Sequence, residues 1–310
     1  MYAHIRLWAV DTAGRDIYYS WVEGSRILQG ADPYARILAG DMLENDKYAT
    51  YFPLFYLLSA GSQALGWRDY DSWLAAWRVI FLVCQVGIGL LIWIIYAQYR
   101  QWLAGLLAAM LWWLNSWSLI VTYIAHLDTI PILFLVMSLY WLDKRPKTAL
   151  LLLSLSLALK QIAIFVAPLY LIWIWRASRQ RRDIAAAILI LVSVPLVTSL
   201  PFLAWSAEGY IKSISFSMTR FAYVEQSIGV ILFGSGGLLS RLPMLVGCGF
   251  VYLLAWRGVL GRYTSSMLSM LAFGLLTPVF FVQYMIWIIA LILLTPCDMF
   301  MRQPTLQADV

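Results

Sequence analysis

Long apolar runs separated by short polar connections constrain this 310-residue chain more than any other feature. Nine such runs occur, at about 74–98, 102–125, 127–142, 148–159, 162–175, 184–205, 242–256, 264–280 and 282–297. Several reach or approach the roughly 20 residues that a helix needs to cross about 30 Å of hydrocarbon. The composition agrees, because 62% hydrophobic and only 12% charged residues are far from the balance of a soluble domain. The sequence therefore predicts an all-α polytopic membrane protein with about nine transmembrane helices.

Basic residues in the connections indicate the orientation. Eleven of them share one side if residues 51–67 do not cross and residues 148–175 form a hairpin: Arg100, Lys144, Arg145, Lys147, Arg176, Arg179, Arg181, Arg182, Arg257, Arg262 and Arg302. That side carries four acidic residues, whereas the other carries eleven basic and twelve acidic residues. The positive-inside rule places the basic side in the cytoplasm. We therefore predict a multi-pass plasma-membrane protein with a cytoplasmic C-terminus, and we read the net charge of +6 as loop asymmetry with no nucleic-acid partner.

This orientation divides the chain into three predicted parts. They are an extracytoplasmic loop with juxtamembrane helices at 1–73, a transmembrane helical domain at 74–302 with an external loop at 206–241, and a cytoplasmic tail at 303–310. Nine spans leave the N-terminus outside without a leading helix. We therefore expect the first transmembrane helix to be missing, and translocation of a charged N-terminal segment by the helix at 74–98 is the alternative.

Two helices are predicted within the first external loop. Residues 17–29 form an amphipathic pattern with Trp21, Val22, Ile27 and Leu28 near one face and Glu23 and Arg26 off it. Glycine and proline in the turn at 30–34 end this helix. Residues 51–67 are predicted to lie on the outer interface, with Pro53 in the first turn.

The segment from 11 to 53 is the only long polar-rich stretch, and we predict that polar chemistry occurs there. It contains seven carboxylates: Asp11, Asp16, Glu23, Asp32, Asp41, Glu44 and Asp46. The three cysteines Cys84, Cys248 and Cys297 lie in or at the ends of apolar runs and match no metal-binding spacing. We interpret them as packing residues, and we expect no metal site from the sequence.

Placing polar residues inside a membrane costs free energy, so those within the apolar runs need an explanation. His126 and Asp128 lie at the outer end of the second run, where a helix cap at Asp128 is the alternative to a functional role. Lys160 and Gln161 interrupt 27 apolar residues, which predicts a hairpin of two short helices. A buried Lys160 favours an anionic partner, and we expect the phosphate of a donor; snorkelling of the side chain is the alternative.

Weaker signals come from other residues on the same predicted face. Arg78 begins the run at 74–98, where an interfacial anchor is an equal explanation. The external loop at 206–241 mixes aromatic residues with Lys212, Arg220 and Arg241, as expected near lipid phosphates. Gln283 and Tyr284 lie at the outer turn between the last two runs, where the aromatic residues alone fit an interfacial belt.

In their order along the chain, these residues resemble the GT-C superfamily of polytopic glycosyltransferases that use polyprenyl-phosphate sugars. The first external loop contributes Asp16 with Tyr18 and Tyr19, then Gly30-x-x-Pro33-Tyr34 and Tyr51-x-Pro53. Arg78, His126-Leu127-Asp128, Lys160-Gln161 and Gln283-Tyr284-x-x-Trp287 follow in the same order. The resemblance covers most of the chain and is closest to glycosyltransferase family 87 and mannosyltransferase-like membrane proteins.

The resemblance implies transfer of a hexose, with mannose as the first sugar to test, from a polyprenyl-phosphate donor to a lipid or glycan acceptor on the extracytoplasmic face. Asp16 is expected to be the general base, with Asp11 and Asp128 as the other catalytic candidates. The expected substrate-binding residues are His126, Lys160, Gln161, Arg220, Tyr51, Arg78, Gln283 and Tyr284. No cofactor is expected besides the lipid-linked donor, and metal dependence stays open.

Two other functional classes remain from the sequence alone. A transporter or lipid flippase would use the same buried Lys and Asp along a substrate pathway. The lack of an inverted repeat or of paired Gly/Pro-broken helices argues mildly against it. An inactive scaffold subunit that keeps the fold is the third class.

Overall fold

The computed structural model describes residues 5–9, 11–40, 49–219, 227–234 and 238–302, and it gives no side-chain description for Ala9, residues 217–219 and Arg302. Fourteen α-helices lie in these ranges. They are α1 (Asp16–Leu28), α2 (Leu54–Ala64), α3 (Tyr70–Ala97), α4 (Trp102–Leu114), α5 (Ser116–Tyr123), α6 (Thr129–Trp141), α7 (Pro146–Leu159), α8 (Ala167–Ser178), α9 (Arg181–Thr219), α10 (Ile228–Phe233), α11 (Leu242–Trp256), α12 (Arg262–Leu276), α13 (Met285–Ile292) and α14 (Pro296–Arg302). The described part of the chain contains no β-strand, so the all-α prediction is confirmed there.

Within the described ranges, five helical stretches are long and apolar enough to cross a membrane. They are Tyr70–Ala97, Gln161–Ser178, Arg181–Phe216, Leu239–Trp256 and Val282–Met301. A sixth arises if α4 and α5, which are bent by 43° relative to each other, form one broken span. Over the residues that the structure describes, the protein is thus an all-α membrane protein with five or six candidate spans.

The other three predicted spans correspond to shorter helices. α6, α7 and α12 contain 13, 14 and 15 residues. At 1.5 Å per residue they extend only about 20–23 Å, less than the hydrocarbon thickness. The structure therefore does not establish nine full spans, although a helix stands at each of the nine predicted positions.

The helix breaks have local causes. Asn115 ends α4, and its side chain accepts a hydrogen bond from the backbone N–H of Ser118 (2.9 Å), which begins α5. Lys160 has an extended backbone between α7 and a 3₁₀ turn at Gln161–Phe165, as expected for the predicted hairpin. Ser206 is non-helical within α9, so residues predicted as an external loop continue as a kinked helix to Thr219.

The first predicted loop is folded where the structure describes it. The predicted helix at 51–67 forms as α2 (Leu54–Ala64), with Pro53 at its N-cap instead of in its first turn. α3 begins at Tyr70, four residues earlier than predicted, because the Asp69 side chain accepts a hydrogen bond from the backbone N–H of Ser72. Asp41, Glu44 and Asp46 lie outside the described residues.

The two largest buried clusters of the described residues hold most of the helices together. The larger one joins α3, α6, α7, α8 and α13 through residues such as Ile92, Leu135, Leu153 and Trp287. The smaller one joins α1, α2 and α3 through Ile17, Phe55 and Trp77, and it reaches Leu127 and Leu159 beside the hairpin. The second cluster fixes the folded first loop against the ends of α6 and α7, where the polar residues converge.

Candidate functional site

Asp16 is the first residue of α1, and its side chain contacts His126 and Tyr51. The N-cap of α1 is Arg15, which makes no side-chain capping hydrogen bond, so Asp16 is not the N-cap residue. The Asp16 Oδ2 atom instead lies 3.1 Å from His126 Nε2 and accepts a longer hydrogen bond from the Tyr51 hydroxyl at 3.4 Å. Its side chain is 28% exposed, which leaves one side accessible.

Asp128, which directly precedes α6, is the centre of a buried polar cluster. Its carboxylate pairs with His126 Nδ1 and with Lys160 Nζ (2.8 Å), and it accepts a hydrogen bond from Trp287 Nε1 (2.6 Å). Asp128 has no exposed area and no side-chain capping hydrogen bond, so the helix-cap interpretation of this residue is not supported. Asp16, His126, Asp128 and Lys160 form one chain of contacts.

The charges in this cluster stabilise one another. Burial disfavours the Asp128 carboxylate, and the Lys160 ammonium and His126 oppose that effect. Burial and Lys160 both favour neutral His126. Attraction to Asp128, with hydrogen bonds to Asp128 and Asp16, outweighs them, and the pKa of His126 is raised.

Lys160 has a different partner from the one that we predicted. Its side chain is 1% exposed, and Asp128 supplies the expected anion from within the chain. Its Nζ atom also lies 5.3 Å from the centre of the Tyr51 ring and 5.6 Å from that of Tyr284. Asp128 therefore takes the place of the donor phosphate that we predicted as the anionic partner of Lys160.

A cavity of about 260 Å³ opens beside the exposed side of Asp16. It is lined by Gly14, Arg15, Asp16, Tyr19, Ser20, Glu23, Thr50, Tyr51, Tyr56, Ile124, His126, Phe281 and Gln283. Asp16 and His126 therefore face the cavity, whereas Asp128 and Lys160 are sealed behind them. The sequence named Tyr19 only as part of the resemblance and did not single out Arg15, Ser20 or Tyr56. The position of Ser20 one helical turn after Asp16 is the clearest signal that was overlooked.

The buried face of α1 differs from the predicted one at Glu23. We expected it to lie off the buried face, but it is 1% exposed, whereas Leu28 is exposed. Its carboxylate accepts a hydrogen bond from Arg36 Nη1 at 2.6 Å and lies 3.4 Å from Arg26 Nε. Burial, only partly offset by Arg36 and Arg26, raises the pKa of Glu23.

Three further predicted residues lie around the same region. Gln161 Nε2 donates a hydrogen bond to the Thr50 carbonyl oxygen (2.7 Å), which ties the hairpin to the first loop. Gln283 lines the cavity. Tyr284 packs against Phe273 and Phe280 and contributes to the surroundings of Lys160.

The remaining predicted site residues are not brought to the cavity. Asp11 is exposed, and its Oδ1 accepts a hydrogen bond from the backbone N–H of Ala13. Arg78 is buried within α3, more than two turns from the start of that helix, and is not among the described residues that line the cavity. Arg220 lies outside the described residues.

The described residues contain no group of three or more His, Cys, Asp or Glu side chains arranged to hold a metal ion. Comparison with known proteins adds no family to this description. No family model matches the chain, and neither a curated protein nor a solved structure matches it.

Proposed function

We propose that this chain is an integral-membrane glycosyltransferase that transfers a hexose, such as mannose, from a polyprenyl-phosphate donor to a lipid or glycan acceptor. The observation that carries the proposal is a partly exposed carboxylate on a polar cavity wall, supported from behind by a buried His and a buried ion pair. Asp16 is that carboxylate, and His126 and Asp128 lie behind it. The resemblance of the ordered motifs to the GT-C superfamily supplies the reaction class.

In this proposal Asp16 acts as the general base. Its carboxylate accepts the proton of the acceptor hydroxyl as that oxygen forms a bond to the anomeric carbon of the sugar. The bond between the anomeric carbon and the phosphate oxygen breaks, and the polyprenyl phosphate leaves with the electron pair. A phosphate is already a good leaving group, so no general acid is needed.

The residues behind Asp16 are positioning residues. His126 holds the carboxylate through Nε2 while Asp128 holds the other nitrogen of the same ring, an arrangement that fixes the ring orientation. Lys160 and Trp287 in turn hold Asp128. The whole chain of contacts therefore orients one reactive carboxylate.

Arg15 replaces Lys160 as the proposed contact for the departing phosphate. It lines the cavity directly beside Asp16, and its guanidinium lies 5.4 Å from the centre of the Tyr123 ring. A cation at this place would stabilise the negative charge that develops on the leaving phosphate. Arg220, from the predicted external loop, stays a second predicted cation.

The proposed membrane arrangement follows from the charges at the two ends of the bundle. We propose that the short helices α6, α7 and α12 and the broken pair α4–α5 complete nine crossings. The cavity then opens on the extracytoplasmic side, and the basic connections face the cytoplasm. Because α6 and α7 are short, the Asp128–Lys160 pair lies below the outer surface.

A transporter or flippase is the second candidate. The specific observation in its favour is the buried group of Asp128, His126 and Lys160, since such ionisable residues are typical of transport pathways in membranes. It differs from the first candidate in one measurable respect. A transporter changes the side on which the lipid donor is found without forming a new glycosidic bond.

The test compares two Asp→Asn variants in sealed membrane vesicles supplied with radiolabelled polyprenyl-phosphate mannose or glucose. Asp16→Asn removes the proposed base, so we expect transfer of label to endogenous acceptors to fall by about two to four orders of magnitude. Asp11→Asn removes the same charge from an exposed residue outside the cavity, so we expect nearly normal transfer. Thermal unfolding in detergent should show that both variants remain folded.

Two results would contradict the proposal. Normal transfer by Asp16→Asn, with loss in Asp11→Asn, would assign the base to the other residue. Movement of the donor across the vesicle membrane without a labelled product, abolished in Asp16→Asn, would identify a transporter.

A further inference from the structure

A second cavity lies at the opposite ends of α6 and α7 from the candidate site. Asp128 precedes α6 and Asp143 follows it, whereas Lys147 is in the first turn of α7 and Lys160 follows its end. The two helices have 13 and 14 residues, so their ends are separated by about 20 Å. The second cavity has a volume of about 860 Å³, within the range typical of ligand-binding pockets.

The wall of this cavity has an apolar part and a charged part. The apolar part comes from α7, α8, α9 and the end of α6, and includes Leu142, Leu150, Trp173, Ile174, Ala187 and Ile190. The charged part contains Lys147, Arg176, Arg179 and Arg262 together with Asp143, Asp183 and Asp298. A ligand that fits this wall has both a charged and an apolar portion.

Two of the three carboxylates are already engaged. Asp143 pairs with Arg262. Asp298 accepts hydrogen bonds from the backbone N–H groups of Tyr263 (3.2 Å) and Thr264 (2.7 Å) in the first turn of α12. Asp183 is the remaining acidic residue on the wall.

The cavity wall has more cations without a carboxylate partner than the one remaining carboxylate, Asp183. Lys147 and Arg179 form no ion pair with a carboxylate in the described ranges, and both are exposed. Arg176 donates a hydrogen bond to the Ala255 carbonyl oxygen at 3.0 Å, which holds its guanidinium at the cavity. Three cations therefore face one acidic residue, and the cavity has an excess of positive charge.

We propose that this cavity binds one anionic phospholipid, with its phosphate between Lys147, Arg176 and Arg179 and an acyl chain along the apolar wall. Arg176 and Arg179 lie where the candidate spans Gln161–Ser178 and Arg181–Phe216 meet, within three residues of the end of the first, and Lys147 lies in the first turn of α7, which is the depth of the lipid headgroups in the proposed arrangement. A basic pocket between membrane helices at this depth is suited to a phosphate-bearing headgroup. The apolar wall favours a lipid over a free phosphate ion.

The test measures binding of defined short-chain lipids to the full chain in a neutral detergent, by native mass spectrometry and by the shift of the thermal unfolding midpoint. The probes are phosphatidic acid, phosphatidylglycerol, zwitterionic phosphatidylcholine and inorganic phosphate. We expect the two anionic lipids to bind and stabilise the wild type more than phosphatidylcholine does. We expect inorganic phosphate to bind much more weakly than phosphatidic acid.

A pair of charge-matched double variants locates the site. Lys147→Gln with Arg179→Gln removes two cations from the cavity wall, and we expect about 30-fold weaker binding of phosphatidic acid, or about 2 kcal/mol at about 1 kcal/mol per cation. Arg181→Gln with Arg182→Gln removes two exposed cations that do not line the cavity, and we expect little change. Equal unfolding midpoints without lipid show that each double variant is folded.

Three results would overturn the proposal. Equal loss of binding in both double variants would indicate a general attraction to a basic surface. Equal binding of phosphatidylcholine and phosphatidic acid would remove the role of the cations. Equal binding of inorganic phosphate and phosphatidic acid would remove the role of the apolar wall.

Discussion

At the scale of single residues, the fully buried Asp128 carboxylate is the most demanding feature of the molecule. Removing a carboxylate from water is costly, and attraction to a partner offsets the cost only when the geometry is good and the remaining oxygens are hydrogen-bonded. Lys160, His126 and Trp287 meet that requirement from three different parts of the chain. Loss of any one of them leaves part of a buried charge without compensation.

Lys160→Met is expected to destabilise the protein strongly. Considered without its partners, this change removes a cation from an apolar segment, which by itself favours insertion. In the structure it leaves Asp128 buried without its main cation, which costs about 3–5 kcal/mol of unfolding free energy. Denaturant unfolding in detergent measures this loss.

Two control variants test whether the loss of stability in Lys160→Met comes from the unpaired Asp128. Lys160→Met combined with Asp128→Asn removes both charges, so we expect most of the stability to return. Lys144→Met removes an exposed cation that lies 4.6 Å from the centre of the Tyr140 ring, and it should stay close to the wild type. A Lys160→Met protein as stable as Lys144→Met would show that the Asp128–Lys160 pair does not support the fold.

The sequence singled out Asp16, His126, Asp128 and Lys160 but not their mutual contacts. Each is conspicuous because polar residues are rare beside long apolar runs. His126 and Asp128 are two residues apart, but the contacts to Lys160 and Asp16 join residues 32 and 110 apart, and helix periodicity carries no information over such separations. Glu23 shows the same limit, since its burial depends on Arg36, which lies beyond the end of α1.

Trp287 could have been identified as a site residue from the sequence, but it was overlooked. It belongs to the segment Gln283-Tyr284-x-x-Trp287 that carried part of the resemblance. An indole N–H buried in an apolar environment usually has a hydrogen-bond partner. Asp128 is a suitable acceptor, but the sequence does not show that the two residues meet. The packing of α13 beside α6 brings them into contact.

At the scale of helices, the close approach of α1 to α2 holds the cavity wall in place. A Cβ atom on Gly24 would lie 2.4 Å from Ser59 Oγ and 2.9 Å from the backbone nitrogen of Ala60. The Gln63 side chain crosses the same contact and donates a hydrogen bond to the Trp21 carbonyl oxygen (2.9 Å). The absence of a side chain at Gly24 therefore lets Asp16 and Glu23 face the cavity from one rigid helix.

Gly24→Ala is expected to destabilise the protein by about 1–3 kcal/mol, because the added methyl group overpacks this contact. Gly61→Ala is the matched control on α2, where a new Cβ meets nothing within 4 Å. Ala is the better helix former, so Gly61→Ala should be neutral or more stable by up to about 1 kcal/mol. Thermal unfolding of both variants tests this; equal effects would mean that the helices are able to move apart.

The helix breaks differ in how well the sequence predicts them. Gly30, with φ of +72°, follows α1 as the glycine–proline turn predicts. Lys160 ends α7 as the hairpin predicts. The bend at Asn115 was missed although Asn followed by Ser is a local helix-start signal, because the surrounding residues read as one continuous apolar run.

At the scale of the whole molecule, the predicted sidedness follows from the charges of the connections. Residues near the cavity are expected outside the cell, and the connections that follow α6 and α8 are expected in the cytoplasm. The three native cysteines are buried, so an introduced cysteine can be labelled selectively. Asp11 and Gln180 are both exposed and represent the two predicted sides.

A membrane-impermeant maleimide added to intact cells should label Asp11→Cys and leave Gln180→Cys unmodified. Gln180→Cys should become labelled after the cells are broken open, which shows that the thiol is reactive. The opposite pattern would reverse the orientation and place the cavity in the cytoplasm, where a lipid donor presented outside cannot reach it.

The Asp128–Lys160 pair also constrains how the protein is made. Asp128 leaves the ribosome 32 residues before Lys160, which at typical synthesis rates is roughly two to six seconds earlier. During that interval α6 carries a carboxylate at its leading end without the cation that neutralises it. We expect α6 to wait at the translocon until α7 is complete, so that the two short helices enter the bilayer together with Asp128 and Lys160 already paired.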